Sequence, residues 1–396
     1  MGDTDVREVL ARHVAAGALP GAVALVAVGE EARIDAAGTV AFDDPTPMAA
    51  DTVMRIASLT KPVTAATAMS LVEEGRISLD DPVERHLVEL ADRRVLRAPD
   101  AALDDTVPAE RPVTVYDLLT FRAGFGIVLA EPGSTPIQRA EAALGLMTMG
   151  PPWPRPPYGT DEWMARFASL PLVFQPGTHW QYNTAATLLG VLVERAAGAP
   201  LETVMRERVF EPLAMRDTAF SIPARALAEG RVATAYQPDP DGVAHLFDRP
   251  EGMWAQPPRM PDGAAWLVST MADFWAFVRM LLRGGRAPDD TRVLSSESVA
   301  AMTRDHLTDE QRRRDAAPFL GGAGWGFAMA APPADGGPCT TPGFGWDGGS
   351  GTTWRTDPAT GLSGILFTQR QMTSPEPPRL FLDFWEAARA GLPARG

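Results

Sequence analysis

Arg55-Ile56-Ala57-Ser58-Leu59-Thr60-Lys61-Pro62-Val63 holds a serine and a lysine three positions apart, and Lys61 is the only lysine in the chain. Of the 36 cationic Lys and Arg side chains, 35 are Arg. Arginine stays protonated in proteins, whereas a lysine amine can be tuned into a base, so the one amine stands apart chemically. Proline is tolerated in the first turn of a helix and disfavoured deeper, so Pro62 puts a helix start close to Ser58; Gly75 then ends that helix after Val72-Glu73-Glu74. Residues three apart share a helical face, so Ser58 and Lys61 point into the same space. A serine hydroxyl is a poor nucleophile until a base takes its proton, and a partly buried lysine can have its pKa lowered enough to do so. Free N–H groups at the helix start add positive potential where a tetrahedral oxyanion would form. The other reading of these residues is an N-cap serine followed by a surface lysine.

The composition excludes several classes. At 396 residues the chain has length for two or three domains, or for one large fold with an insertion. It can bury most of its unfolded surface without disulfides or metals. One cysteine, Cys339, rules out an internal disulfide framework and a thiolate metal cluster. A net charge of −14 argues against a general nucleic-acid binder, which needs a basic footprint. No stretch of eighteen apolar residues exists to span a membrane, and Met1-Gly2-Asp3-Thr4-Asp5 lacks a basic leader, so a cytoplasmic location is the expectation.

The apolar periodicity predicts a helix over residues 5–16, two strands over 22–28 and 32–37 joined at Gly29-Glu30-Glu31, and strands over 324–330, 351–356 and 363–369 before a closing helix over 379–390. Helical patterns fill the middle, at 64–74, 115–119, 184–197, 201–209 and 271–282. Strands at both ends with helices between predict an α/β fold of α+β type. Its antiparallel sheet is flanked by helices and built from both termini, as a sheet domain of residues 1–80 and 316–396 carrying a mostly helical insertion of residues 81–315. The Pro-rich run 145–159 and the Pro-, Asp- and Gly-rich run 237–263 read as irregular loops, either lids or plain connectors.

From the S-x-x-K spacing outward, the sequence resembles the serine β-lactamases and penicillin-binding proteins, with closest likeness to class C β-lactamases and the related β-lactamase-fold esterases, the family VIII-type carboxylesterases. The likeness extends through Leu79-Asp80-Asp81-Pro82, Val115-Tyr116-Asp117-Leu118-Leu119-Thr120, Phe210-Glu211-Pro212-Leu213-Ala214-Met215-Arg216-Asp217-Thr218 and Val268-Ser269-Thr270-Met271-Ala272-Asp273. It implies a β-lactamase/transpeptidase-like fold. Gln175-Pro176-Gly177-Thr178-His179-Trp180-Gln181-Tyr182-Asn183-Thr184 is similar to the loop whose tyrosine shares proton transfer with the lysine, which assigns that role to Tyr182. A phenol near two cations is either held as phenolate or trades protons through the amine. Thr184 stands where a β-lactamase has an asparagine that contacts the substrate side chain. Phe344-Gly345-Trp346-Asp347-Gly348-Gly349-Ser350-Gly351-Thr352 resembles the strand that carries K-T-G in β-lactamases, with Trp346-Asp347-Gly348 in the triplet's place. A tryptophan beside an aspartate cannot replace the lysine that meets a substrate carboxylate, so an uncharged acyl group is expected to bind there. The resemblance makes the N–H groups of Ser58 and Gly349 the oxyanion hole. The plain alternative is a glycine-rich hairpin with a packed Trp.

Gly343-Phe344-Gly345-Trp346-Asp347-Gly348 also satisfies G-x-G-x-x-G, but strand-like sequence follows it where a dinucleotide fold needs a helix. The five histidines show no metal-ligand spacing, so no metal and no cofactor are expected, and His179 reads as structural. Trp153, Trp163, Trp254 and Trp266 are candidates for an apolar acyl pocket or for core packing. The sequence therefore predicts a serine hydrolase acting on small-molecule esters through an acyl-enzyme on Ser58, as a carboxylesterase or transesterase. The alternatives are a weak β-lactamase or D-amino-peptide hydrolase, and a non-catalytic acyl- or peptide-binding protein of the same fold. Nothing in the sequence fixes the oligomeric state.

Overall fold

The computed structural model describes residues 5–146, 156–337 and 343–391. Helix α1 (Val6–Ala15) starts at Asp5, whose side chain accepts from the Arg7 N–H, and leads into β1 (Gly21–Val28), β2 (Glu31–Ala41) and β3 (Asp44–Pro47). The principal helices that follow are α2 (Thr60–Glu73), α3 (Thr184–Ala197) and α4 (Met271–Leu282). The chain returns to the sheet with β4 (Gly324–Trp325), β5 (Ala330–Ala331), β6 (Phe344–Gly348), β7 (Thr352–Asp357) and β8 (Leu362–Thr368), then closes with α5 (Arg379–Ala390). The eight strands form one antiparallel sheet in the order β4-β5-β6-β7-β8-β1-β2-β3. As expected, the two ends of the chain build it together, with first strand and last side by side and Leu25 opposite Ile365.

Alternation along the strands sends successive side chains to opposite faces, and both faces are covered. Ala22, Ala24 and Leu366 pack under α1 and α5, against Val9, Leu10, Phe381 and Phe384. The closeness of that layer requires Gly364, where a Cβ would meet the Trp385 ring at 2.6 Å. Val23, Leu25, Ile365 and Phe367 face the larger core with α2, α3 and α4. There Phe274 lies 5.6 Å from Trp354 and 5.8 Å from Phe367, ring centre to ring centre.

Three expectations are corrected. The segment 324–330 is two short strands with a turn between them, because its middle bonds away from the sheet: Phe327 N–H donates to Met302 O and Ala328 N–H to Leu119 O, at 2.9 Å each. Ala328 is left at φ +58 there. The helix over 201–209 is α-helical only through Met205 and continues as a π turn over Arg206–Phe210. The run 237–263 overlaps a hairpin, Ala235–Pro238 paired with Ala244–Asp248, before it becomes irregular. Of the Pro-rich run 145–159, residues 147–155 lie outside the described residues.

Helix α2 runs through the centre, with every residue from Thr60 to Leu71 buried. Its hydroxyls are satisfied on nearby carbonyls: Thr64 donates to Gly263 O at 2.7 Å and Thr67 to Val63 O at 2.9 Å. Between α2 and α3 lies the strap Asp262-Gly263-Ala264, held so close that a Cβ on Gly263 would meet Ala186 O at 2.7 Å.

Candidate active site

The site is built at the start of α2. A single 3₁₀ turn, Ala57–Leu59, precedes the helix, and Ala57 takes φ +42, a left-handed conformation rare for a residue with a Cβ. That turn lifts Ser58 out of the core. From Thr52 to Leu71 it is the only residue that is not buried.

Lys61 follows one turn later with 0% exposure. Its amine donates to Ser58 Oγ at 2.9 Å and to the Ala264 carbonyl at 2.8 Å, so the surface-lysine alternative does not hold. Burial lowers the Lys61 pKa to about 7, opposed by the nearby charge of Asp262. The amine is therefore neutral in a large fraction of molecules at neutral pH.

Tyr182 approaches from the other side. Its ring centre lies 4.6 Å from Lys61 Nζ, its hydroxyl accepts from the Trp346 indole N–H at 2.6 Å, and its side chain hydrogen-bonds Ser58. Burial is the largest influence on the phenol and raises its pKa. The Ser58 and Trp346 hydrogen bonds pull the other way, and Asp347 adds to the rise. Of the two forms the sequence allowed, burial favours the neutral phenol, hydrogen-bonded to Ser58, over the phenolate. Tyr182 is aimed by a strained turn at Asn183, φ +88 and ψ −68, just ahead of α3.

The third wall is the end of β6. Ser350 Oγ donates to Arg55 O at 2.6 Å and Thr352 Oγ1 donates to Ile56 O at 3.2 Å, tying the strand end to the turn before Ser58. Gly348 fits where a Cβ would lie 2.5 Å from Ile56 O. Gly349 comes next; its carbonyl accepts from Met372 N–H at 2.7 Å, and its N–H has no acceptor among the described residues. Trp346 is packed against Tyr182 and edge-on to Trp325, so it is more than a hairpin ornament.

Two expected substrate contacts sit differently. The Asp347 carboxylate is held bidentately by Arg355, at 3.0 and 3.1 Å, so its charge is matched within the protein. Thr184 is 1% exposed in the first turn of α3, and its hydroxyl makes no hydrogen bond among the described residues. Of the two readings given for the tryptophans, acyl pocket or core packing, the three described ones follow core packing. Trp254 and Trp266 stack at 4.5 Å with 1% exposure each, and Trp163 stacks on Phe167 at 5.3 Å; Trp153 lies outside the described residues. The aromatic surroundings of Tyr182 are instead Phe121, Trp180, Phe319, Trp325 and Trp346. His179 stacks on Phe174 at 3.7 Å and serves packing. Among the described residues, no group of three or more His, Cys, Asp or Glu side chains could hold a metal, and no helix is long and apolar enough to cross a membrane.

A sheet closed from both termini, with Ser58, Lys61 and Tyr182 meeting at the start of the central helix, has the architecture of a β-lactamase-fold serine hydrolase. The family model described as Beta-lactamase matches residues 6–385, and the chain belongs to that family. It is 41% identical to Protein Rv1367c of Mycobacterium tuberculosis, over 89% of this chain and 86% of the relative. It is 32% identical to Esterase EstB of Burkholderia gladioli, over 88% of this chain and 86% of the relative. Among solved structures, EstCE1, a hydrolase with promiscuous acyltransferase activity, matches with a TM-score of 0.76 at 25% identity, covering 97% of each chain.

Proposed function

We propose that the protein is a carboxylesterase that forms an acyl-enzyme on Ser58 and can pass the acyl group to water or to an alcohol. The observation that carries this reading is the fully buried Lys61 amine at 2.9 Å from Ser58 Oγ. Neutral Lys61 takes the Ser58 proton as Oγ bonds to the ester carbonyl carbon. The resulting oxyanion lies toward the N–H groups of Ser58 and Gly349. When the intermediate collapses, the carbon–oxygen bond to the alcohol breaks, and the leaving oxygen takes a proton from protonated Lys61, relayed by the Tyr182 hydroxyl. Water or an alcohol then enters by the reverse route, Lys61 accepting its proton, and Ser58 leaves protonated.

Ester preference over β-lactams is supported by charge. Trp346 occupies the position of the carboxylate-binding lysine, and Arg355, 6.0 Å from its ring centre, is bound to Asp347. The esterase and hydrolase relatives support the same substrate class. The test is turnover of p-nitrophenyl esters of increasing acyl length beside nitrocefin. Wild type is expected to favour the esters, and Ser58→Ala to lose at least about 10³-fold in kcat. Full ester turnover by Ser58→Ala would overturn the mechanism, and nitrocefin as the better substrate would overturn the preference.

A further inference from the structure

Three hydrogen bonds tie the strap Asp262-Gly263-Ala264 to the two helices flanking it, and a fourth closes it on itself. Thr187 Oγ1 of α3 donates to Asp262 Oδ1 at 2.8 Å, and Ala264 N–H donates to the same oxygen at 2.9 Å. Thr64 of α2 donates to Gly263 O at 2.7 Å, and Lys61 donates to Ala264 O at 2.8 Å. Packing leaves the strap no slack, since a Cβ on Gly263 would meet Gly190 Cα at 3.1 Å as well as Ala186 O. The residue that gives the strap its shape, Asp262, folds back on its own backbone and also grips the helix that follows Tyr182.

We infer that Asp262 is a positioning residue for Lys61, anchoring the strap so that the Ala264 carbonyl holds the amine against Ser58 and placing a negative charge beside that amine. This rests on the assignment of Lys61 as the base for Ser58. Two ionisable groups face the amine: the Tyr182 phenol, ring centre at 4.6 Å, and the Asp262 carboxyl. From β6, Asp347 acts on Tyr182 and is paired with Arg355. Desolvation lowers the Lys61 pKa and the Asp262 charge limits the fall, so the base is held near neutrality. Enclosure in turn raises the Asp262 pKa, opposed by its two hydrogen bonds and by Lys61.

The charge and the anchor separate experimentally. Asp262→Asn keeps an acceptor for Thr187 and Ala264 but removes the charge. The acid limb of its kcat/KM profile on a p-nitrophenyl ester is expected to move to lower pH, because loss of a nearby anion makes the Lys61 proton easier to remove. Thr187→Val keeps the carboxyl but cuts one tether and one of the hydrogen bonds that hold its pKa down, so its plateau falls about tenfold while its limb moves no further than that of Asp262→Asn. Asp262→Glu restores the charge and returns the limb toward the wild-type position; it serves for the charge if the asparagine variant does not fold. An unmoved limb in Asp262→Asn, or an unchanged plateau in Thr187→Val, would overturn the inference. Ser58→Ala, run alongside, separates the two failures: ester turnover surviving there would remove the acyl-enzyme reading itself, whatever the Asp262 variants do.

Discussion

Lys61 combines two properties that ordinarily exclude each other, an ionisable head group and complete burial. The conflict is eased because burial lowers its pKa to about 7, which favours the neutral amine. Since the neutral amine is the form that accepts a proton, kcat/KM on an ester is expected to rise as pH passes upward through about 7. Lys61→Arg is expected to cost at least about 10³-fold at every pH, because a guanidinium keeps its proton. A pH–rate profile of both proteins checks this, and substantial activity in the arginine variant would contradict the base assignment. The Ser58–Lys61 pair was legible from spacing alone, since three residues on a helix fix a common face. Tyr182 and Trp346 were reachable only through the family resemblance. Their 2.6 Å hydrogen bond joins residues 164 positions apart, and no local periodicity encodes such a contact. Asp262 and Ala264 were not legible: one acts from an irregular run, and the other through a backbone carbonyl that every residue possesses.

At the scale of elements, the site depends on a seam where the end of β6 meets the turn before α2. Gly348 lies in that seam, and a methyl group there would collide with Thr352 Oγ1 at 2.2 Å and with the Ile56 carbonyl at 2.5 Å. The hydroxyl of Thr352 can rotate, but the backbone of Ile56 has nowhere to move without displacing Ser58. Gly348→Ala is therefore expected to lose about 1–3 kcal/mol of stability and at least tenfold in ester turnover. Denaturant unfolding and kcat/KM measured on one preparation check the pair, and wild-type values of both would contradict the role given to the seam. The helices at 184–197, 271–282 and 379–390 have the bounds their apolar periods predict. The segment 324–330 misled because its apolar residues suit a strand, whereas its backbone bonds are claimed by Met302 and Leu119. Composition reports burial, but it does not report which neighbour takes a carbonyl.

In the whole molecule, the sheet joins the two ends of the chain and buries one face under α1 and α5 and the other against the helices that carry the site. The plan was legible because strand patterns sit at both termini and helical ones between. The register, with Leu25 opposite Ile365, came only from the folded chain. The strand order places β6 three strands from β1, where its end reaches the start of α2. The fold thus gathers Ser58, Lys61, Tyr182 and Gly349 from three distant parts of the sequence. The central claim is that the acyl group passes through Ser58. Its most direct test is intact-mass analysis with peptide mapping after rapid acid quench of the protein reacting with a slowly released p-nitrophenyl ester. The expected result is one acyl mass on the peptide holding Ser58, absent from Ser58→Ala. An adduct on another residue, or ester turnover by Ser58→Ala equal to wild type, would contradict it.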